Sequence, residues 1–169
     1  VDGQPQTLGL LELLRVYVDH RIDVVHRRTE HRLGRSEDRL HLVEGLLLAI
    51  VDIDEVIQII RAAEETAEAR TRLMQVFDLT QVQAEHILEL RLRQLTKFSR
   101  IELEREQEEL RARIAELEEI LGSDAKLRSV VSAELGEVAE RYGTDRRTVL
   151  TETDDLAQLA KAATPAGAK

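Results

Sequence analysis

The sequence predicts an all-α protein, a long antiparallel coiled-coil hairpin that carries a small helical dimerisation head. Aromatic residues make up only 2% of the 169 residues, and a core without them must be built from Leu, Ile, Val and Ala, as in long helices rather than a sheet sandwich. The two prolines, Pro5 and Pro165, lie near the ends of the chain, so no proline forces a helix break between them. Two helical stretches of matched length flank a shorter helical insert, which is the arrangement of a hairpin with a head at its tip.

The first long element is an outgoing arm helix at residues 10–51, which follows a connecting turn at residues 1–9. Its apolar residues recur every three or four positions and therefore lie on one stripe. At 1.5 Å per residue, a helix of this length is about 60 Å long. The stripe thins near Gly34, which is where a bend of the arm would fall. Its members are Leu11, Leu14, Val18, Ile22, Val25, Leu33, Leu40, Val43, Leu47 and Ile50.

A helical head is predicted at residues 52–98, with short helices at 55–63, 66–77 and 80–95. Thr80 and Gln83 fit a capping box at the start of the third helix. This helix is apolar on nearly all its faces, so it must be buried all round. A head of this size can hardly bury it alone, which favours a second copy as the partner. The alternative is that the helix forms the centre of the head. The predicted dimer interface consists of Ala84, Ile87, Leu88, Arg91, Leu92 and Leu95.

The returning arm is predicted at residues 99–142, with Ser99 and Glu102 as a capping box at its start. Its apolar residues alternate steps of four and three, which is an a/d heptad seam with Gln107 as the one polar member. Gly122 ends this helix, and a second one runs to Tyr142. Residues 143–150 are predicted to be a short strand or connector, and residues 151–169 a disordered tail. The seam consists of Leu103, Leu110, Ile114, Leu117 and Leu121.

No catalytic or metal-binding constellation is predicted in this chain. Cysteine is absent, and no HExxH pattern or glycine-rich phosphate loop occurs. His26 and His31 are five residues apart, so on a helix they point about 140° apart and cannot share a metal. Tyr17 and Tyr142 lack an adjacent activating partner, which a nucleophile needs. We therefore expect no catalytic residue, no metal and no cofactor within the chain.

The charge pattern separates one basic run from an acidic background. The net charge is −9 and the sequence pI is about 5.1, so the whole length is not a DNA-binding surface. The run has two interpretations: it faces nucleic acid, or it pairs with the Glu-rich returning helix across the hairpin. The possible nucleic-acid face consists of Arg27, Arg28, Arg32 and Arg35, and Arg21 and Arg39 extend the basic run.

No apolar run approaches the roughly 20 residues that span a bilayer, which favours a cytoplasmic protein.

Several short motifs, taken together and in order, resemble a known family. They are Val1-Asp-Gly-Gln-Pro, His20-Arg-Ile-Asp-Val-Val, Arg27-Arg-Thr, Val43-Glu-Gly-Leu, Ile53-Asp-Glu-Val-Ile, Ile60-Arg, Gln83-Ala, Ile87-Leu, Arg91-Leu-Arg-Gln-Leu-Thr and Asp145-Arg-Arg-Thr. This combination resembles the A-type subunit of the bacterial type IIA DNA topoisomerases, DNA gyrase and topoisomerase IV. The similarity covers nearly everything from Val1 to Leu150. Glu85-His86 and Lys97-Phe98 differ from the commoner gyrase residues, so both enzymes remain open.

The resemblance implies a specific role. In that family, two subunits cut both strands of one duplex and pass a second duplex through the break. The second duplex leaves by an exit gate, where the coiled-coil arms of the two subunits meet at their tips. The chain would then be the arm and gate module of an ATP-dependent enzyme, and would form a homodimer through its head. A chain that starts at Val1 is expected to be a piece of a longer protein.

The same resemblance places the chemistry elsewhere in the parent enzyme. The family's nucleophilic tyrosine lies upstream of Val1, so this chain is not expected to cleave DNA alone. ATP and Mg²⁺ are expected to act through other regions of the parent complex, which includes a B-type ATPase subunit. The transported duplex would be a transient partner. The alternative class is a stand-alone coiled-coil scaffold that binds another helical protein.

Overall fold

A computed structural model describes residues 3–90, 97–145 and 147–148, with residues 97–99 described by their backbone alone. Within these ranges the chain forms six helices and no strand, which confirms the all-α class. The helices are α1 Leu10–Val51, α2 Ile53–Ala62, α3 Thr66–Phe77, α4 Gln81–Leu88, α5 Lys97–Gly122 and α6 Asp124–Tyr142.

The outgoing arm is one unbroken helix of 42 residues, and Gly34 lies inside it. Gly9 is the N-cap of this helix, and its N–H donates to the Glu12 carboxylate at 3.0 Å. The predicted apolar stripe is at least partly buried from Ile22 onward, whereas Leu11, Leu14 and Val18 are exposed. The buried residues of α1 are Val25, Thr29, Ser36, Val43, Gly45, Leu46 and Ala49.

The arm helices run antiparallel. Arg39 of α1 binds Glu106 of α5, and Asp19, nearer the start of α1, interacts electrostatically with Arg128 of α6. Residue numbers on the returning helices therefore rise as those on α1 fall. Every predicted seam residue on α5 is buried or partly buried, and Ile120, which was not predicted, is buried as well. These side chains therefore lie on the less exposed side of α5, and their assembly into a coiled-coil seam with α1 stays a prediction.

The core of the head is shared with the arm. Its buried cluster joins residues from α1, α2, α3 and α4, and Leu103 of α5 packs against it. Because apolar burial is the main driving force for packing, a core made of both parts holds the head against the arm. The cluster consists of Leu46, Ala49, Val56, Leu73, Leu79, Ala84 and Ile87.

Two local predictions differ from the structure. α4 ends at Leu88, before the predicted end at Leu95, because Glu89 forms a turn. α5 begins at Lys97, so Ser99 lies inside the helix and the predicted cap there is wrong. In the segment predicted as a short strand or connector, residues 143–145 and 147–148 are in neither helix nor strand, which fits the connector alternative. Arg146, Val149 and Leu150 lie outside the described residues, as does the predicted tail.

The chain consists of two compact units, Val1–Ala133 and Glu134–Lys169. The first holds the head and most of the arm. In the second, the structure describes the end of α6, where the Gly143 N–H donates to the Ala139 carbonyl at 2.8 Å, and the few residues that follow. No helix in the described ranges is long and apolar enough to cross a bilayer.

Candidate functional site

The head carries an apolar groove of about 340 Å³ between α2 and the end of α4. Ile57 and Ile60, which line this groove, are 36% and 40% exposed. The groove is lined by Ala49, Ile53, Val56, Ile57, Ile60, Arg61, Ile87, Leu88 and Leu90.

The predicted interface residues divide into three groups. Ala84 is fully buried and Ile87 is 5% exposed, and both belong to the core of the head within one chain. Leu88 is half-buried and lines the groove. Arg91, Leu92 and Leu95 lie outside the described residues. The alternative interpretation, that this helix forms the centre of the head, therefore describes Ala84 and Ile87.

Sequence reasoning missed the contribution of α2 to this surface. Ile53, Ile57 and Ile60 follow helical spacing along one side, while Val56 is buried and Ile59 packs against the core. A ten-residue helix with two apolar sides has more apolar surface than one neighbour covers. That excess was visible in the sequence as five apolar residues within eight positions.

The start of α4 is bound to the last third of α1. The predicted capping box is confirmed: the Thr80 hydroxyl accepts from the Gln83 N–H at 3.4 Å, and the Thr80 N–H donates to Gln83 Oε1 at 3.0 Å. His41 of α1 contacts both residues, and Gly45 of α1 lies against Gln83. α3 is joined to α4 by Arg70, which binds Glu85 at 2.7 Å.

The environment of Glu85 stabilises its charge. A hydrogen bond from the Gln81 amide at 2.8 Å, followed by the bond from Arg70, holds the pKa of this carboxyl below its usual value. The side chain is 45% exposed, so solvent screens much of this interaction. The pair therefore joins α3 to α4 at a largely solvated position.

The basic run forms a stripe along α1. At about 100° per residue, Arg21, Arg28, Arg32, Arg35 and Arg39 fall within a fan of about 60°, and Arg27 lies outside it. Within the described part of the chain, Arg32 and Arg35 are exposed and make no ion pair.

The two interpretations of the basic run apply to different residues. Arg39 binds Glu106 across the arm at 2.7 and 2.9 Å, and this hydrogen bond raises its pKa above the ordinary value. Arg27 pairs with Asp23 on its own helix at 2.8 Å. Pairing across the arm thus describes Arg39, and Arg32 and Arg35 remain available to an anionic partner.

Among the described residues, no group of three or more His, Asp or Glu side chains could hold a metal ion. Tyr17 and Tyr142 are 51% and 67% exposed.

Comparisons with known proteins agree on one family. Residues 1–136 match the model of the family described as the A-type subunit of DNA gyrase/topoisomerase IV. The A-type subunit of DNA gyrase from Brachyspira hyodysenteriae is 42% identical over 156 residues, which cover 92% of this chain and 19% of that protein. Its Streptomyces coelicolor counterpart is 45% identical over 150 residues, 89% of this chain and 18% of the relative. The Mycobacterium tuberculosis counterpart is 42% identical over 154 residues, with coverage of 91% and 18%. The chain thus spans about a fifth of the length of these relatives.

Proposed function

The chain belongs to the family of A-type subunits of DNA gyrase and topoisomerase IV, and on this premise we propose that it is the arm and exit-gate module of a type II DNA topoisomerase. The observation that carries the proposal is the antiparallel arm of α1, α5 and α6, which ends in a head with an exposed apolar groove. An element about 60 Å long acts as a spacer. A head with uncovered apolar surface at its end is suited to close a gate.

The closing contact in this proposal is between two copies of the head. Because Ala84 and Ile87 are already buried within one chain, the contact falls on the side chains they leave exposed. Ile57 and Ile60 of α2 and Leu88 of α4 lie around one groove and offer a continuous apolar surface. Arg91, Leu92 and Leu95 remain part of the proposed interface.

The arm would border the cavity that receives the transported duplex. Arg32 and Arg35 supply positive charge that no carboxylate in the described part of the chain neutralises. Two such charges can attract phosphates through counterion release without holding a duplex tightly, since the chain as a whole carries a net charge of −9. A weak attraction between the arm and the transported duplex would allow the duplex to leave the cavity.

The remaining functions belong to other parts of the parent enzyme in this proposal. Strand cleavage, ATP hydrolysis and Mg²⁺ binding would be carried out by regions of the longer polypeptide and by a B-type ATPase subunit. The parent would act on chromosomal DNA in the cytoplasm.

Sedimentation of the chain tests the gate. We expect a dimer of about twice 19.2 kDa, and Leu88→Asp should shift it to a monomer with unchanged helical content, since a buried carboxylate in the groove is costly. Val76→Asp is the matched control, because Val76 is 51% exposed on α3 and does not line the groove.

Solution X-ray scattering of the same sample locates the contact. Heads joined with arms directed apart give a maximum dimension well beyond the roughly 60 Å of one arm. A wild-type monomer, or a dimer no longer than one hairpin, would contradict the gate and favour the coiled-coil scaffold.

A further inference from the structure

The head and the arm approach each other closely at Gly45. A Cβ at this position would lie 2.8 Å from Gln83 Cγ and 2.9 Å from Gln83 Cβ. Non-bonded carbons sit about 3.5–4.0 Å apart, so any larger residue would push α4 away. Gly45 therefore allows the side chain of Gln83 to lie directly on the backbone of α1.

Both the oxygen and the nitrogen of the Gln83 side-chain amide form hydrogen bonds. Its Oε1 accepts the Thr80 N–H at 3.0 Å and so caps α4, while its Nε2 donates to the His41 carbonyl at 2.7 Å and so reaches α1. The side chain is 7% exposed, and a buried amide without these partners would be costly. One residue thus fixes both the first turn of α4 and its place on the arm.

His41 closes the network. Its Nε2 lies 2.7 Å from Thr80 Oγ1, and its Nδ1 lies 3.4 Å from Gln83 Nε2. The tautomer with the proton on Nε2 satisfies every group: Nε2–H donates to Thr80 Oγ1, and Nδ1 accepts from the Gln83 amide. The Thr80 hydroxyl then donates to Gln83 Oε1 at 3.3 Å.

We propose that His41, Thr80 and Gln83, seated on Gly45, form a polar latch that sets the orientation of α4 on the arm. The neighbouring apolar core holds the two helices together, but apolar contacts have no direction. Hydrogen bonds require defined angles, so the latch selects one rotation of α4. Ile87 and Leu88 of α4 line the groove, so the same contacts also set the direction in which the groove faces.

One consequence rests on the proposed function: with the head locked to the arm, the gate opens between copies and not by rotation of the head. The latch itself lies within one chain, so it can be measured whether or not the chain dimerises. The chain has no cysteine, so Arg15→Cys on α1 and Val82→Cys on α4 give two unique spin-label sites. Both positions are exposed.

Double electron–electron resonance on the labelled chain, diluted with unlabelled chain, reads the α1–α4 distance within one molecule. Gln83→Glu keeps the oxygen that caps α4, since Glu serves in capping boxes, and loses the Nε2 donor. We expect loss of the single narrow distance peak with unchanged helical content by circular dichroism.

Thr80 supplies a second, matched pair of variants. Thr80→Ser keeps the hydroxyl, so the narrow distance peak should remain. Thr80→Val removes the hydroxyl, so the narrow distance peak should be lost. Gly45→Ala should shift the peak, because the added carbon displaces α4.

Unchanged distances in Gln83→Glu and Thr80→Val would overturn the latch and leave the apolar core as the sole determinant of orientation. Broadened distances in a chain that sediments as a monomer would support the latch and contradict the gate.

Discussion

Leu73 illustrates, at the residue scale, what holds the head together. It is fully buried in the cluster that joins α1 with the head helices, and its own helix, α3, has an exposed side as well. The same helix therefore supplies both a core position and a surface position for comparison.

Leu73→Ala should reduce the free energy of unfolding by about 2–5 kcal/mol, because it removes buried methyl groups and leaves a cavity. Urea denaturation measures the loss. Val76→Ala, at a position that is 51% exposed, should change stability by less than about 0.5 kcal/mol. Equal losses in both variants would mean that the head does not pack around Leu73.

At the scale of elements, the arm contains two kinds of contact. Leu117 and Ile120 of α5 are buried, whereas the side chains of the ion pairs between α1 and α5 are about half exposed. Thr29 and Ser36 are also buried on α1, and each hydroxyl donates to the carbonyl four residues earlier, so neither hydroxyl is left unsatisfied.

The Arg39–Glu106 pair should contribute little to the arm. Its two hydrogen bonds have good geometry, but the side chains are 43% and 35% exposed, so we expect a coupling below about 1 kcal/mol. A double-mutant cycle with Arg39→Ala and Glu106→Ala measures it, and the coupling should fall at about 1 M salt. A coupling of several kcal/mol that persists at high salt would mean that the ion pairs at the edges of the arm stabilise it substantially.

At the scale of the whole molecule, charge is distributed unevenly along an acidic chain. The stripe on α1 contains two exposed arginines that make no ion pair within the described ranges, while α5 is rich in glutamate. Attraction to a duplex should therefore be local to the arm and sensitive to salt.

Arg32→Glu combined with Arg35→Glu should abolish the weak binding of a fluorescent duplex at low salt, because both changes fall on the stripe. Fluorescence anisotropy measures the binding. Arg15→Glu combined with Arg113→Glu changes the net charge equally at exposed positions off the stripe, and should retain most of it. Equal losses in the two double variants would mean that net charge alone governs the attraction.

Local signals explain why much of the fold was predictable. The heptad spacing from Leu103 to Leu121 and the capping box of Thr80 and Gln83 depend only on helix geometry within a few residues. The structure shows the capping box, and the α5 side chains at the heptad spacing are at least partly buried. The exception at Ser99 is also local: a capping pattern occurs there, but α5 already begins at Lys97.

The sequence by itself determined the helical class and the polar cap of α4, because the period and spacing of side chains along one helix are properties of the chain alone. Only the tertiary structure decided that Ala84 and Ile87 are buried within the chain, that Ile57 and Ile60 remain exposed, and that Gln83 lies on Gly45. These outcomes depend on which helix faces meet between segments far apart in the sequence. A helix that is apolar all round does not itself specify which of its sides a neighbour covers.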